Sequence, residues 1–244
     1  MPTRPTEIKT TKGERTRARI LEIALRLFRE RGYEQTTMRS IAESAGVSLG
    51  NAYYYFASKD HLIQAFYAHT HDEHLAACEP ILERERKLPA RLLGVMQAKL
   101  ETIEPYHRFA GILFKTAADP ESPLNPFSDE SRPVRRDATE IFARVIEGSS
   151  ARVPRRLAVE LPELLWTYHM GIVLFWIHDT SPGCVRTHRF MKHTVDLIVK
   201  LIGLSKLPPM RPLVSRTLKL IAEIRYSETS PDDPSGIPVK DGES

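Results

Sequence analysis

Apolar positions recur at helical spacing from the first strongly patterned stretch of the chain. Between about Glu14 and Arg31, Ile20, Ile23, Ala24 and Leu27 share a face that Leu21, Leu25 and Phe28 widen, while Arg19, Glu22, Arg26 and Arg29 lie opposite. The pattern predicts an amphipathic helix. Gly32 is its stop, and Arg29 and Arg31 suit the negative end of its dipole. Thr36 or Thr37 can cap a second helix, Met38 to Ala45, that buries Ile41, Ala42 and Ala45. After a tight turn at Gly46-Val47, Ser48 can cap a third short helix and Ser58 a fourth, whose pattern runs from Lys59 to about Lys87.

Prolines then punctuate the chain, with helical segments predicted at about 90–104, 105–118, 132–148, 155–179 and 184–204. Residues 119–131 read as a loop, 205–211 as a Pro-containing linker and 213–226 as one more short helix. No segment alternates with period two, so the expected fold is all-α. The 184–204 segment is apolar on two sides. Phe190, Leu197 and Leu201 form one face, and Met191, Val195, Ile198 and Ile202 the other, so this helix needs two packing partners. One is its own core. The other is a second subunit across a two-fold axis, or a deeper burial within one monomer.

Charge sharpens this picture. Residues 1–60 hold eleven Lys or Arg against seven Asp or Glu, a surplus of four that equals the net charge of the whole chain. The positive excess is therefore confined to the segment that holds the first three predicted helices, as an electrostatic footprint for phosphates requires. Residues 1–13 read as a flexible basic arm and 227–244 as a disordered tail. Two distant cysteines, Cys78 and Cys184, make neither a disulfide framework nor a zinc site, and the polar N-terminus is no secretory signal. The longest apolar run, Met170 to Ile177, falls far short of the roughly 20 residues needed to span a bilayer. These features lead to the expectation of a soluble cytoplasmic protein with no membrane partner.

Two short helices around a glycine turn form a helix-turn-helix, whose second helix fits the major groove of B-DNA. The surrounding register is fuller than that. The first helix ends in Arg31-Gly32-Tyr33, and Thr36-Thr37, Ile41-Ala42, Ala45-Gly46-Val47-Ser48, Tyr53-Tyr54, Phe56, Ser58-Lys59 and Leu62 follow without interruption. Over these 60 or so residues the chain resembles the TetR family of bacterial transcriptional regulators. The remainder resembles it in length and helical character only.

The resemblance implies a helix-turn-helix domain at 14–60, a ligand-binding and dimerisation bundle at 61–204, and a linker and tail at 205–244. It implies a homodimer that binds palindromic operator DNA and answers to a small apolar or amphipathic effector, most commonly as a repressor. The DNA-facing set carried over is Thr37, Arg39, Ser48, Leu49, Gly50, Asn51, Tyr53, Tyr55 and Lys59. The chemistry suits the role: Asn reads adenine bidentately, Leu meets a thymine methyl, and Gly50 permits close approach. Tyrosine hydroxyls and Lys59 position on phosphates more than they specify bases, and Arg39 can do either. Ala52 and Phe56, one turn apart, with Val47, are expected to lock the third helix onto the first. Of the three tyrosines, Tyr54 is expected to pack inward while Tyr53 and Tyr55 face out.

The aromatics and polar residues of the C-terminal helices supply candidates for an effector pocket: Tyr106, Phe109, Trp166, His169 and Met170, with His169 best placed to orient a ligand. His69, His71, His74 and Cys78 have metal-ligand spacing, but without a second ligand cluster they read as a solvated polar face. No metal, cofactor or catalytic residue is expected, since phosphate loop, nucleophile elbow and paired carboxylates are all lacking. The alternative reading is a helix-turn-helix dimer whose C-terminal bundle binds a protein partner. A fully packed bundle favours that reading, and a cavity with one or two polar groups favours an effector.

Overall fold

The structure is a computed structural model that describes residues 11–227, so most of the predicted basic arm and tail lies outside the described residues. Among the described residues ten α-helices follow one another: α1 Lys12–Arg31, α2 Met38–Ala45, α3 Leu49–Tyr55, α4 Lys59–Arg84, α5 Leu88–Ile103, α6 His107–Ala117, α7 Arg132–Glu147, α8 Arg155–Ile177, α9 Val185–Leu204 and α10 Arg211–Ser227. No strand occurs among the described residues. Helix α1 starts two residues before the expected Glu14. Thr11 and Glu14 form a capping box: the Thr11 hydroxyl accepts from the Glu14 amide (3.2 Å) and the Glu14 carboxylate from the Thr11 amide (2.6 Å). Lys12 and Gly13 are therefore helical and not part of a flexible arm. Ser48 and Ser58 cap α3 and α4 as expected, and Thr37, not Thr36, caps α2.

The core divides into two clusters. The first joins α1, α2 and α3 to the start of α4 through Leu62, Ile63, Ala65 and Phe66, and takes in α6 and Leu124 as well. Phe109 of α6 stacks on Phe28 of α1 (5.8 Å between ring centres) and meets the edge of Phe66 (5.6 Å). The second cluster is built from the far half of α4 (Cys78, Leu82) with α5, α7, α8 and α9. Helix α4 thus runs through both cores, in spite of Pro80 within it.

Arg91 ties the far ends of the bundle together. It is almost wholly buried, and its guanidinium donates to the carbonyls of Leu82 (2.6 Å), Glu85 (2.7 Å), Arg144 (2.6 Å) and Val145 (2.9 Å). These carbonyls end α4 and α7, where the helix dipoles are negative, so the cation is stabilised without a carboxylate. A β-carbon at position 148 would collide with this guanidinium, which accounts for Gly148. Asp179 organises the α8–α9 turn: one carboxylate oxygen accepts from the amide and hydroxyl of Ser181, the other from those of Thr187 (2.6–2.9 Å). Burial would raise the Asp179 pKa, but these four bonds outweigh it and hold the carboxyl well below its usual range.

Candidate nucleic-acid interface

Gly46 ends α2 in the left-handed conformation (φ 64°, ψ 38°), which a side chain adopts only at a cost. The Gly46 and Val47 amides bond back to Glu43 and Ala42, and the Ser48 hydroxyl then accepts from the Asn51 amide (3.1 Å). Two caps and one glycine thereby set the angle between α2 and α3. Ala52 and Phe56 are buried against the head, with the Arg17 guanidinium of α1 over the Phe56 ring at 4.8 Å.

The tyrosine assignment is corrected. Tyr54 is 81% exposed and Tyr53 49%, whereas Tyr55 is half-buried against the head core and its hydroxyl reaches Gly13 of α1. The reason is angular. Ala52 marks the inward direction; Tyr55, three residues on, returns to that side, and Tyr54, two residues on, lies about 200° away. The reading by sequence neighbours missed Tyr54, and counting from Ala52 would have found it.

Of the remaining residues carried over, Thr37, Arg39, Ser48, Gly50 and Asn51 are exposed, while Leu49 is half-buried against the head core. Lys59 is engaged. Its ammonium donates to the Tyr33 carbonyl (2.8 Å) and lies 4.2 Å from the centre of the Tyr33 ring, while the Tyr33 hydroxyl donates to Asp60. This pair of links fixes the first turn of α4 to the α1–α2 turn and leaves further Lys59 N–H donors for an incoming phosphate. Exposed Lys12 and Arg15 belong to the α1 turn that Tyr55 touches, so positive charge flanks α3.

The five effector-pocket candidates are not gathered in one place. Tyr106 and Phe109 belong with Phe66 in the head core, where Arg29 covers Tyr106 (5.6 Å), whereas Trp166, His169 and Met170 lie in the bundle core. Two clefts of about 460 Å³ each, one beside Arg91 and Arg144, the other beside Arg186, Arg189, Phe190 and His193, contain none of the five. Aromatic content alone does not distinguish head core from bundle core.

The histidine reading is also corrected. His69 is exposed, but His71 and His74 are buried, so α4 has no solvated histidine face. Helix α5 covers that side, and His74 Nε2 donates to the Val95 carbonyl (2.9 Å). Among the described residues no group of three ligating side chains could hold a metal ion. His169 is buried as well, and its Nε2 has no hydrogen-bond partner.

Helix α9 divides as its two-faced pattern predicts. Met191, Val195 and Ile202 are buried, while Phe190, Leu197, Leu201 and Leu204 are exposed, as are Leu174 and Phe175 of α8. Phe175 and Phe190 touch ring to ring at 5.0 Å. No described helix is long and apolar enough to cross a membrane.

The comparisons with known proteins agree with this architecture. A family model described as bacterial regulatory proteins, tetR family, matches residues 20–66, and one for the tetracyclin repressor-like C-terminal domain matches 91–220. The HTH-type transcriptional repressor KstR2 of Mycobacterium tuberculosis is 35% identical over 176 residues, covering 71% of this chain and 81% of that protein. The HTH-type transcriptional regulator TtgR of Pseudomonas putida is 44% identical over 69 residues, 28% of this chain and 33% of its own. The fold matches a solved TetR regulator from Nitrosomonas europaea with a TM-score of 0.58 at 19% identity, over 75% of this chain and 97% of that one. With both halves matched and a relative aligned over most of its length, the chain belongs to the TetR family of bacterial regulatory proteins.

Proposed function

We propose that this ligand-responsive transcriptional regulator is a cytoplasmic repressor that binds palindromic operator DNA as a homodimer. The supporting observation is the outer face of α3: Gly50, Asn51, Tyr53 and Tyr54 stand clear of the protein, on a short helix braced from behind by Ala52 and Phe56. In this reading residues 14–60 carry the DNA contact and 61–204 the effector site and dimer contact. Asn51 reads a base edge, Gly50 lets the backbone close on the groove, and Tyr53 and Tyr54 bond to phosphates. Thr37, Arg39, Ser48 and Lys59 hold the flanking backbone, with Leu49 and Tyr55 seating α3 on the head. The exposed row Phe175, Phe190, Leu197, Leu201 and Leu204 meets the same row of a second copy, which sets two α3 helices about 34 Å or more apart for successive major grooves. An effector in the bundle favours a spacing that the operator does not accept, and it acts only through its differential affinity for the two spacings. The name of the mycobacterial relative, a repressor, supports the direction of control.

The test is electrophoretic retardation of the gene's own upstream region. Asn51→Ala combined with Tyr54→Ala abolishes the sequence-specific complex while circular dichroism and melting stay unchanged. Unchanged retardation refutes the role given to α3.

A further inference from the structure

Helix α1 and the end of α3 meet along a seam whose positive charge has no acid to answer it. Gly13 and Arg17, one turn apart on α1, face the seam from one side, and Tyr55 and Phe56 from the other. The Arg17 guanidinium lies over the buried Phe56 ring at 4.8 Å, although Arg17 as a whole is exposed. Among the described residues its side chain makes no ion pair and no hydrogen bond, so its N–H donors are open. The Tyr55 hydroxyl stands 3.5 Å from the place a β-carbon at position 13 would take, and it too has no hydrogen-bond partner among the described residues. Gly13 leaves that side of the hydroxyl uncovered, and Lys12 beside it is exposed. The acid of this turn, Glu14, is held by the Thr11 amide (2.6 Å).

Seating on Phe56 fixes the guanidinium in place and leaves its N–H edge to an acceptor outside the protein. That edge fits an anion with two oxygens to offer, as a phosphodiester has. The position of the seam selects the partner. Phe56 caps the C-terminal end of α3, and Lys59, three residues on, is seated in the same manner over the Tyr33 ring (4.2 Å). Two aromatic-seated cations therefore stand at one end of the helix assigned to the major groove. Positions 13 and 17 are about 6 Å apart along α1, so the Arg17 and Tyr55 donors are neighbours and need not meet on a single phosphate.

We propose that Arg17 and Tyr55 form a grip on the DNA backbone at the C-terminal end of α3, apart from the base-reading face of Asn51, Tyr53 and Tyr54. This rests on the assignment of α3 to the major groove and adds a phosphate contact from α1 to it. Tyr55 thereby has two tasks: its ring seats α3 on the head core, and its hydroxyl donates to a phosphate oxygen. Arg17 sits on the helix that carries Ile20, Leu21 and Phe28 into the head core, so the grip is mounted on a rigid element.

The test follows binding of the full-length protein to the gene's upstream region, and to a nonspecific duplex of equal length, by fluorescence anisotropy over a range of salt. Arg17→Leu keeps an apolar cover on Phe56 and removes the charge. On both duplexes it makes the fall of log affinity with log salt shallower by about two units for a dimer, one phosphate per subunit at roughly 0.9 each. Arg17→Lys keeps the original slope, as does Arg26→Leu, at an exposed position farther along α1. Tyr55→Phe weakens binding about tenfold or more on both duplexes. A merely structural role for Arg17 lowers the amount of folded protein and leaves the slope alone. An unchanged slope for Arg17→Leu, an equal change for Arg26→Leu, a loss confined to the upstream region, or undiminished binding by Tyr55→Phe overturns the proposal. Absence of any preference for the upstream region overturns the operator reading instead, while the slopes on the nonspecific duplex still decide the grip.

Discussion

His74 gives its Nε2 proton to the Val95 carbonyl in a space where a charged imidazole has no acid to meet. Burial, with the nearby charge of Lys99, lowers its pKa to about 4, and the same causes lower His71 and His169. The unfolded chain binds these protons near pH 6.5, so it holds more protons than the folded chain below that value. Stability from these groups is complete above about 6.5 and is lost as the pH falls toward 4. The His74 share is on the order of 2–3 kcal/mol. Urea midpoints measured between pH 7 and 4 should decline, and His74→Gln, which keeps a donor for Val95, should flatten the decline. An equal slope in the variant would assign the loss elsewhere. Sequence spacing grouped His71 and His74 with His69 but misplaced the two, because nothing in the α4 pattern reveals that α5 covers that side. Arg91 had no signal at all: its partners are backbone carbonyls, which every residue carries.

At the scale of helices the sequence was far more informative. Caps, glycine stops and the two-faced α9 pattern are local properties, and they survive into the fold with shifts of a few residues at the ends. The orientation of α3 was recoverable too, since Ala52 and Phe56 define its inward side and so expose Tyr54. What the local pattern does not contain is which core a given aromatic joins: Phe109 and Trp166 are alike in composition and belong to different clusters. The exposed face of α9 leads to a direct expectation. Leu197→Glu with Leu201→Glu, both at exposed positions, should leave the monomer folded, shift sedimentation equilibrium from dimer to monomer, and weaken operator binding about tenfold or more through lost bivalency. A dimer that persists would place the two-fold contact on another surface.

Over the whole molecule, the two cores are joined by α4 and clasped by α6, which follows α5 into the head core through Phe109 and Leu113. Gln64 of α4 donates to the Pro123 carbonyl (2.6 Å) and Tyr67 to that of Leu124 (3.2 Å), so the loop after α6 is also fastened to α4. The bundle and the head are therefore tied along two paths, one along α4 and one through Phe109 between Phe28 and Phe66. The family match over the head, 20–66, ends before α6, which falls within the separate match at 91–220, so the helix-turn-helix motif does not by itself reveal this clasp.

That clasp bears on anyone who would treat the reading head as an interchangeable cartridge. A fragment cut after Arg84 takes α1 to α4 away from Phe109, Leu113 and Leu124 and leaves Phe28 and Phe66 facing water. It should associate nonspecifically or melt well below the intact chain in calorimetry. A hybrid that transplants this head onto a foreign bundle should recover cooperative melting only when residues 107–124 are grafted with it.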